Sequence, residues 1–434
     1  MVIEQLYSLY KQHPVISTDT RRIAPGSLFF ALKGDKFDAN TFAAQAVETG
    51  AAYAIIDDAA YRVSDQFILV DDVLSTLQDL ARYHRKQLPI PVIGLTGTNG
   101  KTTTKELINA VLSQQFTTLA TQGNLNNHIG VPLTILSIND THQMAVIEMG
   151  ANHQKEIELL CTIAQPTHGL ITNVGKAHLE GFGGVEGVKK GKGELYDYLK
   201  ATNGTTFVSS NSADLMLMQQ NRELQNVVYY GKAPTAAVHG TLTGNAPYLS
   251  LQWATANLET SHHITTQLTG EYNFDNILAA ICIGNYFNLT DTQINTGIEG
   301  YQPKNNRSQI VKTATNTLIC DYYNANPSSM VVAIDNLGKL QADRKVMILG
   351  DMFEMGAEAA TEHEAVLKTA LATPADEHIF VGHEFYLLHQ NHNATFYKTA
   401  EEAIAGVQAI PITGATVLIK GSRGMALERL VAYL

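Results

Sequence analysis

The chain has 434 residues, 45% of them hydrophobic and 16% charged, a make-up that excludes extensive disorder and a length that calls for about two to four domains. Its net charge of −11 argues against a general binder of nucleic acid or of anionic membrane, so any anionic ligand must be held by local positive groups. The three cysteines, Cys161, Cys282 and Cys320, have neither disulfide nor zinc spacing, and no export signal or apolar run of about 18 residues occurs, so reduced thiols, a cytoplasmic location and no membrane insertion are expected.

Residues 1–88 read as a small α/β domain. Strands are expected over 28–32, 52–56 and 67–70, alternating with helices over 43–49 and 74–86. The polar loop at Asp19-Thr20-Arg21-Arg22 carries two adjacent guanidinium groups. These suit either a solvated loop or forked recognition of a phosphate-bearing ligand, and spacing alone does not decide. Pro89-Ile90-Pro91 is the expected linker, because each proline disfavours helix in the residue before it.

Residues 89–302 hold most of the chemistry. An apolar strand from Val92 ends in Gly97-Thr98-Asn99-Gly100-Lys101-Thr102-Thr103. The small residues let backbone N–H groups surround a polyphosphate, Lys101 adds a cation, and the Thr102 hydroxyl suits Mg²⁺. The strict pattern needs glycine at 95, where this chain has Leu95. A helix is expected over 104–116, its N-terminus toward the anion.

Asn124, Asn126 and Asn127 crowd amides into one loop. They either satisfy their own turn or contact a polar substrate. The strand 144–147 then delivers Glu148 to a sheet's carboxyl end, where a carboxylate is a candidate Mg²⁺ ligand. The stretch Leu170 to Glu180 repeats this design, a short apolar strand that leads into a loop with His178, and three lysines, Lys189, Lys190 and Lys192, follow among glycines. Residues 205–270 read as an added patch of antiparallel strands, and Asn273 and Asn276 open an apolar helix over 277–287.

Residues 303–434 read as a third domain, entered through a polar joint at Tyr301 to Arg307. Strands at 318–321, 345–351, 378–382 and 416–421, separated by helices, have the βα alternation of a parallel sheet without its own phosphate loop. Their terminal Gly, Asp and Lys residues are expected to line a cleft facing the second domain.

In order and spacing, the phosphate loop, Glu148-Met149-Gly150-Ala151-Asn152-His153, Asn173 to Glu180, and Asp321-Tyr322-Tyr323-Asn324-Ala325-Asn326-Pro327 together resemble the Mur ligases of peptidoglycan synthesis. Asp19-Thr20-Arg21, the run ending at Met330, and Gly350-Asp351-Met352-Phe353-Glu354-Met355-Gly356 are most similar to the branch that adds D-alanyl-D-alanine. The resemblance implies an α/β chain in three domains: a small domain at 1–88, a central phosphate-loop domain with added antiparallel strands at 89–302, and a Rossmann-like domain at 303–434. It implies an ATP-dependent amide ligase that takes UDP-MurNAc-tripeptide, D-alanyl-D-alanine and ATP with Mg²⁺, through an acyl phosphate, as a monomer.

By the same resemblance Thr20 and Arg21, with Asn124, Asn126 and Asn127, bind the UDP substrate. Gly97 to Thr103, Asn273, Asn276, Arg307 and Asp321 hold ATP. Thr102, Glu148, His178 and a carbamylated Lys192 hold metal, and Lys101, Lys192, His178 and Arg307 are catalytic. Departures from the family pattern stand at Tyr272, where histidine is common, and at Ala39-Asn40, where Gly-His is usual. The rivals are a sibling Mur ligase adding the third stem residue, a folylpolyglutamate synthase-type ligase, and a nucleotide-binding regulator without catalysis.

Overall fold

The computed structural model describes residues 2–245, 247–256 and 260–434. Three parallel-type sheets follow one another along the chain. The first has four strands in the order Ile16–Ser17, Leu28–Phe30, Tyr53–Ile56, Phe67–Leu69, all parallel. Leu28, Phe29 and Phe30 are fully buried, because a strand in a parallel sheet is covered on both faces. Helices Ala43–Thr49 and Val73–Lys86 supply that cover.

The central sheet has nine strands. Val92–Thr96 lies between Met144–Glu148 and His168–Ile171, both parallel to it, so the phosphate loop leaves from an interior strand of the sheet. Residues 205–270 differ from expectation. Thr205–Ser209 and Val227–Gly231 continue the parallel sheet, and only from Val238–Asn245 do Leu249–Thr255 and His262–Thr265 pair antiparallel, extending the same sheet rather than forming a separate patch. Alternation along a strand reports which face is buried, not the direction of its neighbour.

The phosphate-loop helix runs Lys101–Leu112, three residues earlier at its start than its apolar spacing indicates. The β-branched Thr102-Thr103-Thr104 run lowers helix propensity, and the first turn is set by Gly100 in a left-handed conformation before it.

The third sheet orders Gln309–Lys312, Thr317–Asp321, Thr416–Lys420, Lys345–Gly350, Glu377–Val381 and Thr395–Tyr397, parallel except for its first strand. The two edge strands, with only intermediate or exposed residues, lack the apolar run that marks the inner four.

The lobes are joined in different ways. One continuous core runs from Leu6, Leu28 and Leu77 of the first lobe to Val131, Ile147 and Leu160 under the central sheet. Arg85, 6% exposed, seals that join by donating to four backbone carbonyls, those of Ala164 (3.0 Å), Leu88 (2.7 Å), Ile90 (3.3 Å) and Gln165 (3.2 Å). The third lobe keeps cores drawn from its own residues and meets the central lobe through polar contacts. Among these, Lys176 pairs with Glu362 at 2.7 Å, and Glu106 of the phosphate-loop helix accepts from Tyr301 (2.5 Å) and Asn305 (2.9 Å) of the joint.

Candidate active site

Backbone conformation makes the phosphate loop. Gly97 has φ of 147°, and a Cβ there would lie 2.0 Å from Thr172 Oγ1; Gly100 has φ of 76°, and a Cβ would lie 2.9 Å from Asn276 Oδ1. Only glycine fits either position. Leu95 is a fully buried strand residue, so the turn begins after Thr96 and the missing glycine costs the loop nothing. Asn173 of the neighbouring strand's loop braces the turn: its carbonyl accepts from Thr98 N–H (3.0 Å) and its side-chain oxygen from Asn99 N–H (2.9 Å).

Lys101 Nζ folds back onto the loop, donating to the carbonyls of Gly97 (2.8 Å) and Thr98 (3.0 Å). Burial pushes its ammonium down to about 8, against the pull of Glu148 and with the push of Arg307. A nearby anion would reverse that balance, which is the electrostatic signature of a cation set out for a phosphate.

Glu148, 1% exposed at the end of its strand, shares Oε1 between Thr102 Oγ1 (3.3 Å) and Asn126 Nδ2 (2.9 Å). Its other oxygen, Oε2, is buried with no partner among the described residues. A buried carboxylate oxygen left over beside a threonine hydroxyl fits a hard divalent cation. Among the described residues no three His, Cys, Asp or Glu side chains cluster as an all-protein metal cage. A Mg²⁺ here would therefore complete its shell with phosphate oxygens and water.

His178 sits with φ of 50° before the short helix Leu179–Phe182, its Nδ1 2.5 Å from Glu354 Oε2 of the third lobe. Burial lowers its pKa, Glu354 opposes that, and Lys101 and Lys192 add to it. Lys192, 2% exposed, donates to Ala151 O at 3.0 Å and lies 4.9 Å above the Phe182 ring. Burial, with Lys101 nearby, pushes its ammonium well down.

Asn276 donates to Asn273 Oδ1 (2.9 Å), and Asn273 donates to Thr269 O (2.9 Å), so both amides are fixed at the start of helix Phe274–Tyr286 beside the loop. From the third lobe Arg307 stacks on Tyr323, 3.9 Å from guanidinium carbon to ring centre, and its buried Nε has no partner. Asp321 pairs with Lys420 (2.7 Å) and accepts from Ser308 N–H (3.2 Å). Asn326 caps the helix Pro327–Lys339 and donates to Asn99 Oδ1 (2.8 Å), tying the third lobe to the loop.

These groups border one cleft of about 700 Å³ between the second and third lobes. Of the residues singled out from the sequence, Thr98, Asn99, Gly100, Lys101, Thr103, Asn124, Asn126, Asn127, Glu148, His178, Asn273, Asn276, Arg307 and Asp321 line it. Gly97, Thr102 and Lys192 stand behind its wall. Thr20 and Arg21 do not reach it. They form a short 3-10 turn on the first lobe, and Arg21 is clasped by Asp19 (2.6 Å) instead of presenting a free fork. The expectation that every third-lobe strand end lines the cleft holds for Asp321 and Lys420 only. Asp351 turns inward, where its carboxylate accepts from the N–H groups of Glu384 (2.9 Å) and Phe385 (3.1 Å). Tyr323, Lys420 and Asn326 have roles that spacing did not reveal; the Asp321-Tyr322-Tyr323-Asn324-Ala325-Asn326 run was visible as a motif, but its contacts are tertiary.

Three family models cover the chain: Mur ligase family, catalytic domain, over residues 14–85; Mur ligase middle domain, over 95–284; and Mur ligase, glutamate ligase domain, over 306–423. The UDP-N-acetylmuramoyl-tripeptide--D-alanyl-D-alanine ligase of Escherichia coli (strain K12) is 35% identical over 96% of this chain and 93% of its own length. The chain belongs to the Mur ligase family. Among other Mur ligases, the enzyme of the same name from Bacillus subtilis (strain 168) is 33% identical over 96% of this chain and 92% of its own. A crystal structure of MurF from Acinetobacter baumannii superposes with a TM-score of 0.87 at 32% identity, covering 96% of this Mur ligase and 92% of that chain.

Proposed function

We propose that this Mur ligase joins D-alanyl-D-alanine to UDP-MurNAc-tripeptide at the expense of ATP, in the synthesis of peptidoglycan precursors. The observation that carries the reading is the single cleft where the phosphate loop, the unpartnered carboxylate oxygen of Glu148 and Arg307 of the third lobe converge. The relatives' shared name supports this branch over the sibling that adds the third stem residue, over a folylpolyglutamate synthase-type enzyme, and over a regulator without catalysis.

The tripeptide carboxylate attacks the γ-phosphorus of ATP, releasing ADP and leaving an acyl phosphate. The amine of D-alanyl-D-alanine then attacks the acyl carbon, phosphate departs and one proton is released. Carboxylate, triphosphate and transition state are all anionic, so positive groups must sit where charge accumulates. Lys101 and the N–H groups of Gly97 to Thr103 hold the phosphates, Asn273 and Asn276 the nucleoside end, and Arg307 and Asp321 complete the enclosure from the third lobe. Thr102, Glu148 and His178 would hold Mg²⁺, which when bound neutralises phosphate charge. Asn124, Asn126 and Asn127 contact the muramoyl peptide, whose UDP end lies toward Thr20 and Arg21 once Arg21 exchanges Asp19 for phosphate.

Only the neutral amine combines with CO₂, and the burial that pushes the Lys192 ammonium down favours that form, which supports carbamylation of Lys192 and an added anionic metal ligand there. The domain division at 1–88, 89–302 and 303–434, action as a monomer and a cytoplasmic location belong to the same reading. No described helix is long and apolar enough to cross a membrane.

The test incubates the protein with ATP, Mg²⁺, UDP-MurNAc-tripeptide and one acceptor at a time, and weighs the product. The expected result is one pentapeptide and one ADP per turnover with D-alanyl-D-alanine alone; amidation of glutamate or diaminopimelate, or ADP binding without product, contradicts it.

A further inference from the structure

The segment from Tyr301 to Ser308 leads into the third lobe, yet three of its side chains are held by the central one. The Tyr301 hydroxyl and Asn305 Nδ2 both donate to Glu106 of the phosphate-loop helix, at 2.5 and 2.9 Å. Ser308 Oγ meets the hydroxyl of Tyr272 at 2.5 Å, and Tyr272 stands on the short turn Glu271–Asn273 before the helix that carries Asn276. Ser308 is also tied to the third lobe, because its N–H donates to Asp321 Oδ1 (3.2 Å) and Asp321 is paired with Lys420. Ser308, 6% exposed, is therefore a bridge between the two lobes.

Arg307 lies between these ties. Its neighbours Asn306 and Ser308 both have a left-handed backbone, with φ of 57° and 54°. Asparagine tolerates that conformation, whereas serine adopts it seldom, so the surroundings must hold it. The Arg307 guanidinium stacks on Tyr323 at 3.9 Å, and its buried Nε has no partner among the described residues. Its place in the cleft thus depends on the ring beneath it and on the backbone at either side. Tyr272 is itself fixed: its ring rests on Gly270, where φ is 89° and a Cβ would lie 2.2 Å from Tyr272 Cε1.

We propose that Tyr272 is a positioning residue for Arg307: its hydroxyl fixes Ser308, and Ser308 fixes the backbone from which Arg307 reaches the triphosphate. The assignment rests on the ligase reading above. It gives a role to the position where this chain departs from the histidine common in its family, a side chain too short to bring a hydrogen-bonding atom to the place of the phenolic oxygen. Tyr272 acts on the transition state only through where Arg307 stands.

The test measures steady-state ligation by the full chain for the parent, Tyr272→Phe, Ser308→Ala and Arg307→Ala, and for Tyr272→Phe combined with each of the other two. Tyr272→Phe keeps the ring and removes only the hydroxyl; Ser308→Ala breaks the same bridge from the other side. Each is expected to lower kcat about 3–10-fold, the range for one hydrogen bond, with KM for ATP and for the muramoyl peptide within about threefold of the parent. The two together should lose no more than either alone. In Arg307→Ala, adding Tyr272→Phe should change kcat by less than about twofold, whereas a merely structural tyrosine would cost the same factor in both backgrounds. Circular dichroism at the assay temperature separates these outcomes from unfolding. A parent that ligates while Tyr272→Phe and Ser308→Ala match it, a loss confined to KM for ATP, or a loss that persists undiminished in Arg307→Ala overturns the positioning role and leaves the ligase reading standing. A parent that forms no pentapeptide overturns both.

Discussion

Burial pushes the ammonium groups of Lys101 and Lys192 both down, and what surrounds each nitrogen separates their roles. Lys101 has two carbonyls that it can leave for a phosphate, whereas Lys192 has one carbonyl, an aromatic face and no acid in contact. Lys101→Ala is expected to lower kcat by about 10²–10³-fold or more with the fold intact, read by phosphate release and circular dichroism. For Lys192, ¹³C-labelled bicarbonate should give a carbamate resonance that vanishes in Lys192→Ala together with activity; a variant as active as the parent contradicts the carbamate. Gly97→Ala should lose about 1–3 kcal/mol of stability in denaturant titration, since its Cβ would overlap Thr172 Oγ1 and its φ is closed to side chains. The phosphate loop was legible in the sequence because backbone geometry restricts residue type locally. The leftover oxygen of Glu148 and the capture of Arg21 by Asp19 were not, because both depend on which groups happen to stand nearby in space.

At the scale of elements, long apolar strands and one-faced helices announced themselves. Strands Val92–Thr96, Met144–Glu148, Lys345–Gly350 and Thr416–Lys420 fall within a residue of expectation, since burial on both faces demands a continuous apolar run. The two edge strands of the third sheet and the direction of pairing in 205–231 were hidden for the complementary reason: these edge strands bury little, and a neighbour's direction leaves no local trace. The contact between strand His168–Ile171 and helix Phe274–Tyr286 carries a pH dependence. His168 is packed among Phe207, Tyr286 and Phe287, and burial pushes its pKa down to about 4. With the folded value below the unfolded one, near 6.5, the unfolded chain takes up the proton first as pH falls, so stability declines from about pH 6.5 toward 4. His168→Phe should flatten that part of a plot of melting temperature against pH; an unchanged slope contradicts the assignment.

At the scale of the whole molecule, the two outer lobes are attached to the central one in different ways. The first lobe shares the central core and is clamped by Arg85, whereas the third has cores of its own and a joint held by Glu106. The third lobe is thus the one whose attachment leaves it freer to move, and in this structure it already sets Asn326 against Asn99 of the phosphate loop, with Arg307 and Asp321 lining the same cleft. Arg85→Ala should cost about 1–3 kcal/mol by stranding buried carbonyls, and a single transition should still carry residues 1–302 together in denaturant; separate melting of the first lobe contradicts the shared core. The proposed reaction requires one triphosphate in this cleft, with a carboxylate in reach of its γ-phosphorus. The direct test labels the terminal carboxyl of the tripeptide with ¹⁸O and analyses the phosphate released as D-alanyl-D-alanine is joined: one ¹⁸O per phosphate is the predicted result, and phosphate free of label would contradict it.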